Sequence, residues 1–458
     1  MPIDTLRTHL KEIFQAGLDR VNPFTMITEN VHLEGELLKV NMGGVILTED
    51  LTHYDRIFLL GAGKASARMA LAFEALLGDR ISKGLICVKY GHTEALVHAE
   101  VVESSHPVPD KNGVEAALRL AALADEADEK TLVITCISGG GSALTPAPLC
   151  VETPTGSARL TLADKQETTR LLLASGAAIE ELNCVRKHIS SLKGGHFLSR
   201  LHPARSLTFI LSDVIGDDLG SIASGMTHYD TTTFADALAI LRRYQVLETV
   251  PLTIRTLLEQ GANGDIPETV KPGDPLLSRT TNLLIGTNRQ ALLAAADKAK
   301  NLGYTVSPIT ARLTGEARHA AKAIADIARD AADSETFTPK PACLIFGGET
   351  VVTLTGNGKG GRNQEMALAF LHDMKTWGTE KHRVAFLAAS TDGNDGPTDA
   401  AGAFADATLL EKALTSGLST TACLAANDAY TFFDTLGALH KTGPTNTNVC
   451  DLQIVLIA

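Results

Sequence analysis

The chain predicts an α/β protein of layered sheets whose strands run largely parallel. Short apolar runs alternate with longer stretches of helical period along the whole length. Those stretches are long enough to serve as the crossovers that parallel strands require. Several apolar runs lead straight into glycine-rich turns, which is where open α/β sheets hold their ligands.

In chain order, Met1 to Leu18 alternates apolar and charged positions as an amphipathic helix does, without the apolar core of a secretion signal. Strands are expected at Ile57–Leu60, Gly84–Lys89, Val101–Glu103, Thr131–Ile137, Ser206–Leu211, Asn282–Ile285, Tyr304–Ser307, Ala342–Phe346, Val351–Leu354, Val384–Ala389 and Leu452–Leu456. Helices are expected at Lys64–Leu77, where Met69, Ala72, Phe73 and Leu76 share a face, and at Asn112–Ala124, Asp164–Leu182, Arg289–Leu302 and Glu316–Ala332. The stretch Gln260 to Ser278 holds Gly261, Asn263, Gly264, Pro267, Pro272, Gly273 and Pro275, which fits neither helix nor strand. A domain boundary is expected there, giving domains 1–265 and 266–458, with the last segment free to pack back on the first.

Composition bounds the function. The 458 residues suffice for two or three cores. A formal charge of −12 argues against nucleic acid or an anionic membrane as the main partner. One Trp and six Tyr leave little for stacking on bases. The seven cysteines include no CxxC pair, so they read as buried thiols in a reducing compartment rather than a disulfide frame or zinc site. No apolar run reaches membrane-spanning length, and a soluble cytoplasmic protein is expected.

The chemistry is expected in the loops. Gly61-Ala62-Gly63-Lys64-Ala65-Ser66 joins a strand to a helix, and its glycines, helix start and lysine suit phosphate. It does not fit a P-loop, and it lacks the third glycine and the following acid of a dinucleotide fingerprint. Ser138-Gly139-Gly140-Gly141-Ser142 follows Thr131–Ile137. Three consecutive glycines at a strand end suggest close backbone approach to a phosphate. Arg186, Lys187, His188 and Lys193 gather at a helix end, where the helix dipole also favours cations. Asp213, with Asp217 and Asp218 behind it, offers a carboxylate as Mg²⁺ ligand or base. Gly356 to Glu365 carries Gly360, Gly361 and Arg362, whose guanidinium can bond phosphate or carboxylate with two prongs. Glu349 and Asp392 are further oxygen ligands at strand ends. Each loop alone is also explained as a plain turn.

Together, in this order, the segments Gly61–Ser66, Ser104–Asp110, Ser138–Ser142, Val185–Gly195, Ser212–Gly225, Gly347–Thr350, Gly358–Glu365 and Ser390–Asp399 resemble the glycerate 2-kinase family whose C-terminal half is the MOFRL domain. The resemblance implies an N-terminal Rossmann-like domain with a mainly parallel sheet, a MOFRL domain, and an active site in the cleft between them. It implies ATP-dependent phosphorylation of D-glycerate at its 2-hydroxyl, with Mg²⁺ as cofactor. Carried over, it makes Lys64 and Arg362 the catalytic pair and Asp213 a base or metal ligand, with Asp392 as second ligand. Phosphate then falls to Gly61, Gly63, Ser138 to Ser142, Glu349, Gly360 and Gly361, and the acid substrate to Arg186, Lys187, His188 and Lys193. A homo-oligomer is left open. A nicotinamide-dependent hydroxypyruvate reductase and a non-catalytic binder of phosphorylated metabolites are the other classes.

Overall fold

A computed structural model of the chain describes all residues except Gly43, Pro154, Thr155 and residues 335–337. Two compact units emerge, Pro23–Ile285 and a second made of Met1–Asn22 with Gly286–Ala458. The glycine- and proline-rich stretch from Gln260 to Ser278 lies within the first.

In the first unit the strands are β1 (Val31–Glu34), β2 (Leu37–Met42), β3 (Val45–Asp50), β4 (Arg56–Ala62), β5 (Ile81–Lys89), β6 (Glu100–Ser104), β7 (Thr131–Ile137), β8 (Cys150–Thr153), β9 (Gly156–Arg159), β10 (Arg205–Leu211) and β11 (Thr280–Gly286). β1 to β3 form an antiparallel meander and β8–β9 a hairpin. Neither was expected from the sequence, because their residues lack the long apolar runs of a doubly covered sheet; Ile46 is 81% exposed. The main sheet has the order β6-β5-β4-β7-β10-β11. The pairs from β6 to β10 are all parallel. From β4 the chain steps outward to β5 and β6, then returns to β7 on the other side. This is the Rossmann order, with its topological switch point between β4 and β7.

Helices cover both faces of this sheet. After the N-terminal α1 (Ile3–Arg20) come α2 (Pro23–Asn30), α3 (Ser66–Leu77), α4 (Lys111–Asp125), α5 (Gly141–Leu144), α6 (Leu162–Ala174), α7 (Ile179–His188), α8 (His196–Leu201), α9 (Phe234–Arg243) and α10 (Leu252–Ala262). Phe58, Leu60, Val133 and Ile210 join Leu120 of α4 and Phe197 of α8 in one core. Phe209, alternate in β10, meets Phe73 of α3 with ring centroids 4.7 Å apart. The segment expected as one helix, Asp164–Leu182, is two, α6 and α7. Gly176, with φ of 78°, turns the chain between them.

The second unit holds α11 (Asn288–Asn301), β12 (Thr305–Leu313), α12 (Ala317–Asp333), β13 (Ala342–Gly348), α13 (Arg362–Asp373), β14 (Val384–Ser390), β15 (Gly402–Asp406), α14 (Ala407–Thr415), α15 (Thr420–Ala426), α16 (Ala429–Leu436), β16 (Leu439–His440) and β17 (Asp451–Ile457). Its sheet runs β12-β13-β17-β14-β15-β16. Only β12 and β13 pair in parallel. The last strand, β17, lies antiparallel between β13 and β14, and β15 is antiparallel to β14 and β16. The expectation of largely parallel sheets therefore fails here: strand direction leaves no mark on a fully buried strand's composition. Val351–Leu354, expected as a strand, makes only a bridge from Val351 to Glu316, and Val351 and Leu354 are exposed.

The amphipathic N-terminal helix belongs to this second unit, packed with α11 and on β14 and β17. Phe14 is 1% exposed and meets the His440 ring edge-on. Phe14→Ala is expected to destabilise this unit by about 3–5 kcal/mol. The chain's only tryptophan, Trp377, is buried in the same unit, so its fluorescence in urea unfolding reports on that unit. An unchanged midpoint would contradict the packing described.

Candidate active site

Three loops leave the C-terminal ends of β4, β7 and β10 side by side, because those strands are parallel neighbours. The first two loops are locked together. Ser138 donates its N–H to Ala62 O, Lys64 N–H donates to Gly139 O at 2.9 Å, and Ala65 N–H donates to Ser138 Oγ at 2.9 Å. Gly63 N–H donates to Cys87 O. Gly63 has φ of 147°, and a Cβ there would lie 2.1 Å from Ser138 Oγ. Thus the glycines at 61 and 63 let two loops touch. The amides of Gly63, Lys64 and Ala65, expected to cradle phosphate, are spent within the protein.

The Ser138–Ser142 loop is different. Gly140 turns with φ of 85°, and the amides of Gly139, Gly140 and Ser142 donate to no acceptor among the described residues. Two side chains border it. A Cβ on Gly140 would lie 3.1 Å from His106 Cδ2 and 3.5 Å from Lys64 Cγ. Lys64 therefore leans over a loop with open amides. On the loop's other side, Ser142 Oγ bonds Ser224 Oγ at 2.8 Å, and Ser224 lies against Asn183 of α7. Asp213 follows β10 at this strand end and is half-buried.

The basic end of α7 sorts its cations by partner. Lys187 Nζ is 3.1 Å from Asp230 Oδ1, a carboxylate with no exposed surface. The His188 ring is buried, with Nδ1 bonded to Cys184 O and Nε2 3.2 Å from Glu268 Oε2. Burial opposes charge on that ring, yet the Cys184 carbonyl and Glu268 prevail and raise its pKa to about 9. Both side chains are thus structural ion-pair members. Lys193 Nζ donates to Thr145 O, and Lys165, which the sequence reading passed over, donates to Ile189 O. Burial, then the charge of Arg186, pushes Lys193 down to about 7. Burial lowers Lys165 strongly too, with Lys193 and Arg186 adding to it. Arg186 itself is half-buried, one helical turn from Asn183, and has no hydrogen-bond or ion-pair partner among the described residues. Its charge adds to the lowering of both Lys165 and Lys193.

In the second unit, the expected anion sites are filled by the protein. Gly356 and Gly358 pack on the Ala426–Asp428 turn, and their amides donate to Asn427 Oδ1 and Ala426 O. The start of α13 is capped by Asp395, which accepts from Asn363 N and Gln364 N; a Cβ on Gly361 would lie 2.3 Å from Asp395 Cγ. Burial pushes Asp395 up to about 7 against the pull of those amides. Gly360 packs on Ala429. Arg362 bonds Asp451 with two prongs, at 2.5 and 2.9 Å, and its third nitrogen is 2.8 Å from Glu349. Asp392 Oδ1 accepts from Ser390 Oγ and Asn394 N. Asp451 and Asn183 were not singled out: the first stands just before the strand expected at Leu452–Leu456, and the second just after the helix expected at Asp164–Leu182.

Among the described residues no helix is long and apolar enough to cross a membrane. None of their His, Cys, Asp and Glu side chains gather as three or more around a metal position.

Residues 9–259 match the family model described as a domain of unknown function, DUF4147, and residues 342–451 match the MOFRL family. D-glycerate 2-kinase of Thermotoga maritima is 42% identical over 88% of this chain and 91% of its own. The chain belongs to the glycerate 2-kinase family. A crystal structure of glycerate kinase from Thermotoga maritima superposes with a TM-score of 0.82 at 37% identity, covering 99% of this chain and all of that one. An Agrobacterium vitis relative, 40% identical over 88% of this chain and 87% of its own, is provisionally labelled hydroxypyruvate reductase.

The Lys193 geometry has a measurable consequence. Its folded pKa lies below the ordinary 10.5, so between about pH 7 and 10.5 the unfolded chain holds the proton that the folded chain has released. Relative to Lys193→Met, wild-type stability should be flat below pH 7 and rise as pH climbs from about 7 towards 10. Denaturant midpoints of both proteins across that range measure it. A constant difference would mean that Lys193 is not desolvated as described.

Proposed function

We propose that this protein is a glycerate 2-kinase that transfers the γ-phosphoryl group of ATP to the 2-hydroxyl of D-glycerate. The observation that carries the reading is the Ser138–Ser142 loop at the switch point of a Rossmann-ordered sheet, whose Gly139, Gly140 and Ser142 amides have no acceptor among the described residues; Arg186, without a partner among them, lies on the helix whose Asn183 meets Ser224 behind that loop. An acid substrate's carboxylate satisfies Arg186, and phosphate oxygens satisfy the amides of Gly139, Gly140 and Ser142. The 2-hydroxyl oxygen attacks the γ-phosphorus, the bond to the β–γ bridging oxygen breaks, and ADP leaves. Asp213 takes the hydroxyl proton. Lys64 offsets negative charge as it develops on the transferring group, and Arg362 holds the polyphosphate.

Mg²⁺ in such reactions rides on the nucleotide's own phosphates and takes one or two protein carboxylates. Asp213, half-buried, and Asp392, buried, each offer a carboxylate at a strand end as a ligand of that kind. When bound, the ion would neutralise the β and γ oxygens. Localisation in the cytoplasm and a small-molecule partner without nucleic acid remain part of this reading.

The reductase reading meets a specific obstacle. A dinucleotide's pyrophosphate needs the amides of the first strand–helix turn, and here Gly63, Lys64 and Ala65 have spent theirs. In addition β5 ends at Lys89, where a ribose-binding acid would stand.

With ATP, Mg²⁺ and D-glycerate the protein should form ADP and 2-phosphoglycerate, distinguished from the 3-isomer by a coupled enolase assay. Failure to phosphorylate D-glycerate and related hydroxy acids, or NADH oxidation with hydroxypyruvate, would sink the reading. Lys64→Ala and Arg362→Ala should each lower kcat by about 10²- to 10³-fold. Arg186→Gln should raise KM for glycerate by about ten- to a hundredfold with a smaller change in kcat. A wild-type KM would remove Arg186 from the substrate site.

A further inference from the structure

Arg362 carries two carboxylates on one guanidinium, and they differ in kind. Asp451 holds the Nε and Nη2 edge, has no exposed surface, and begins β17 with its carbonyl bonded by Asn288 Nδ2. Its backbone is held by the strand on both sides, which anchors the carboxylate. Glu349 holds Nη1 at 2.8 Å, and its side chain is 43% exposed on the loop after β13. Arg362 itself is 29% exposed. One cation facing two carboxylates is over-neutralised, and the buried Asp395 lies close enough to add to the negative field. A polyphosphate cannot gain from Arg362 while both remain. Glu349 Oε2 also takes the Cys450 thiol at 3.9 Å, a weak contact, and the half-exposed ion pair is the weaker of the two because solvent screens it.

We propose that Asp451 is the positioning residue for Arg362 and that Glu349 is a placeholder, occupying the guanidinium edge that an incoming phosphate takes over. The inference rests on the kinase reading for its ligand. Exchange keeps Asp451 on Nε and Nη2, which fixes the plane of the guanidinium, while Nη1 passes from Glu349 to a phosphate oxygen. Glu349 thereby keeps the arginine aligned in the empty protein and makes the site select ligands that outbid a single carboxylate, as a polyphosphate does and a lone hydroxy acid does not.

The two carboxylates predict opposite signs. Charge alone says that neutralising either one tightens anion binding. Positioning says that losing Asp451 weakens it. Calorimetric binding of inorganic tripolyphosphate to the full chain tests this without any turnover, so a failed glycerate assay would leave it decidable. Glu349→Gln should bind about three- to tenfold tighter than wild type. Asp451→Asn should bind weaker than wild type, despite carrying one negative charge fewer. Arg362→Met should lose affinity, and adding Glu349→Gln to it should bring no gain. In the kinase assay Glu349→Gln should lower KM for ATP, whereas Asp451→Asn should lower kcat. Trp377 fluorescence melts show whether Asp451→Asn folds; if it does not, the Glu349→Gln and Arg362→Met arms decide alone. Weaker or unchanged binding by Glu349→Gln, tighter binding by Asp451→Asn, or no binding by either wild type or Glu349→Gln would overturn the proposal.

Discussion

A single hydroxyl organises the first unit's ligand edge. Ser138 Oγ accepts the Ala65 amide at the C-terminal ends of β4 and β7, and the missing side chain of Gly63 makes that approach possible. Once the two loops are joined, the β4–α3 turn has no amides left for an anion, and its contribution reduces to the Lys64 side chain. The adjoining Ser138–Ser142 loop gives up only the Ser138 amide to the first loop, to Ala62 O, and otherwise leans on it through Gly139 O and the Ser138 hydroxyl.

Charge is distributed by the same kind of accounting. The end of α7 concentrates cations, but Asp230 and Glu268 neutralise Lys187 and His188 inside the unit. Lys165 and Lys193 find only carbonyls, and burial favours their neutral forms. Arg186 cannot shed its proton to escape, since a guanidinium remains charged in proteins. Without a partner among the described residues, it carries its desolvation uncompensated. Among the described residues of this region, Arg186 is the cation left without a hydrogen-bond or ion-pair partner.

The second unit reaches the opposite arrangement. β17 threads antiparallel between β13 and β14, so its first residue, Asp451, lands among the C-terminal ends of strands that run the other way. That reversal sets a buried carboxylate against Arg362. The glycine run before α13 packs on the Ala426–Tyr430 turn, and Asp395 supplies the anion that the helix start would otherwise seek from solvent. The glycines there again serve contact between segments of chain.

From the sequence alone, the strand–helix alternation, the positions of the glycine loops and the chemically able side chains were all legible, because apolar period and glycine punctuation are local properties. The order of motifs was enough to point to the family. Lys64, Arg186 and the Ser138–Ser142 loop were named from residue type and position at strand or helix ends. What the sequence left open was which of these groups already had partners. Arg186 and Lys187 are neighbours of the same charge, yet among the described residues one has no partner and the other is paired to Asp230, a residue distant in the chain. Gly63 and Gly140 look alike as glycines, yet one sits beside spent amides and the other beside open ones. Strand direction in the second sheet, and with it the place of Asp451, was likewise invisible, since a buried strand has the same composition either way. Tertiary structure decided these points because hydrogen bonds and ion pairs are satisfied across long separations in sequence, where no local pattern records them.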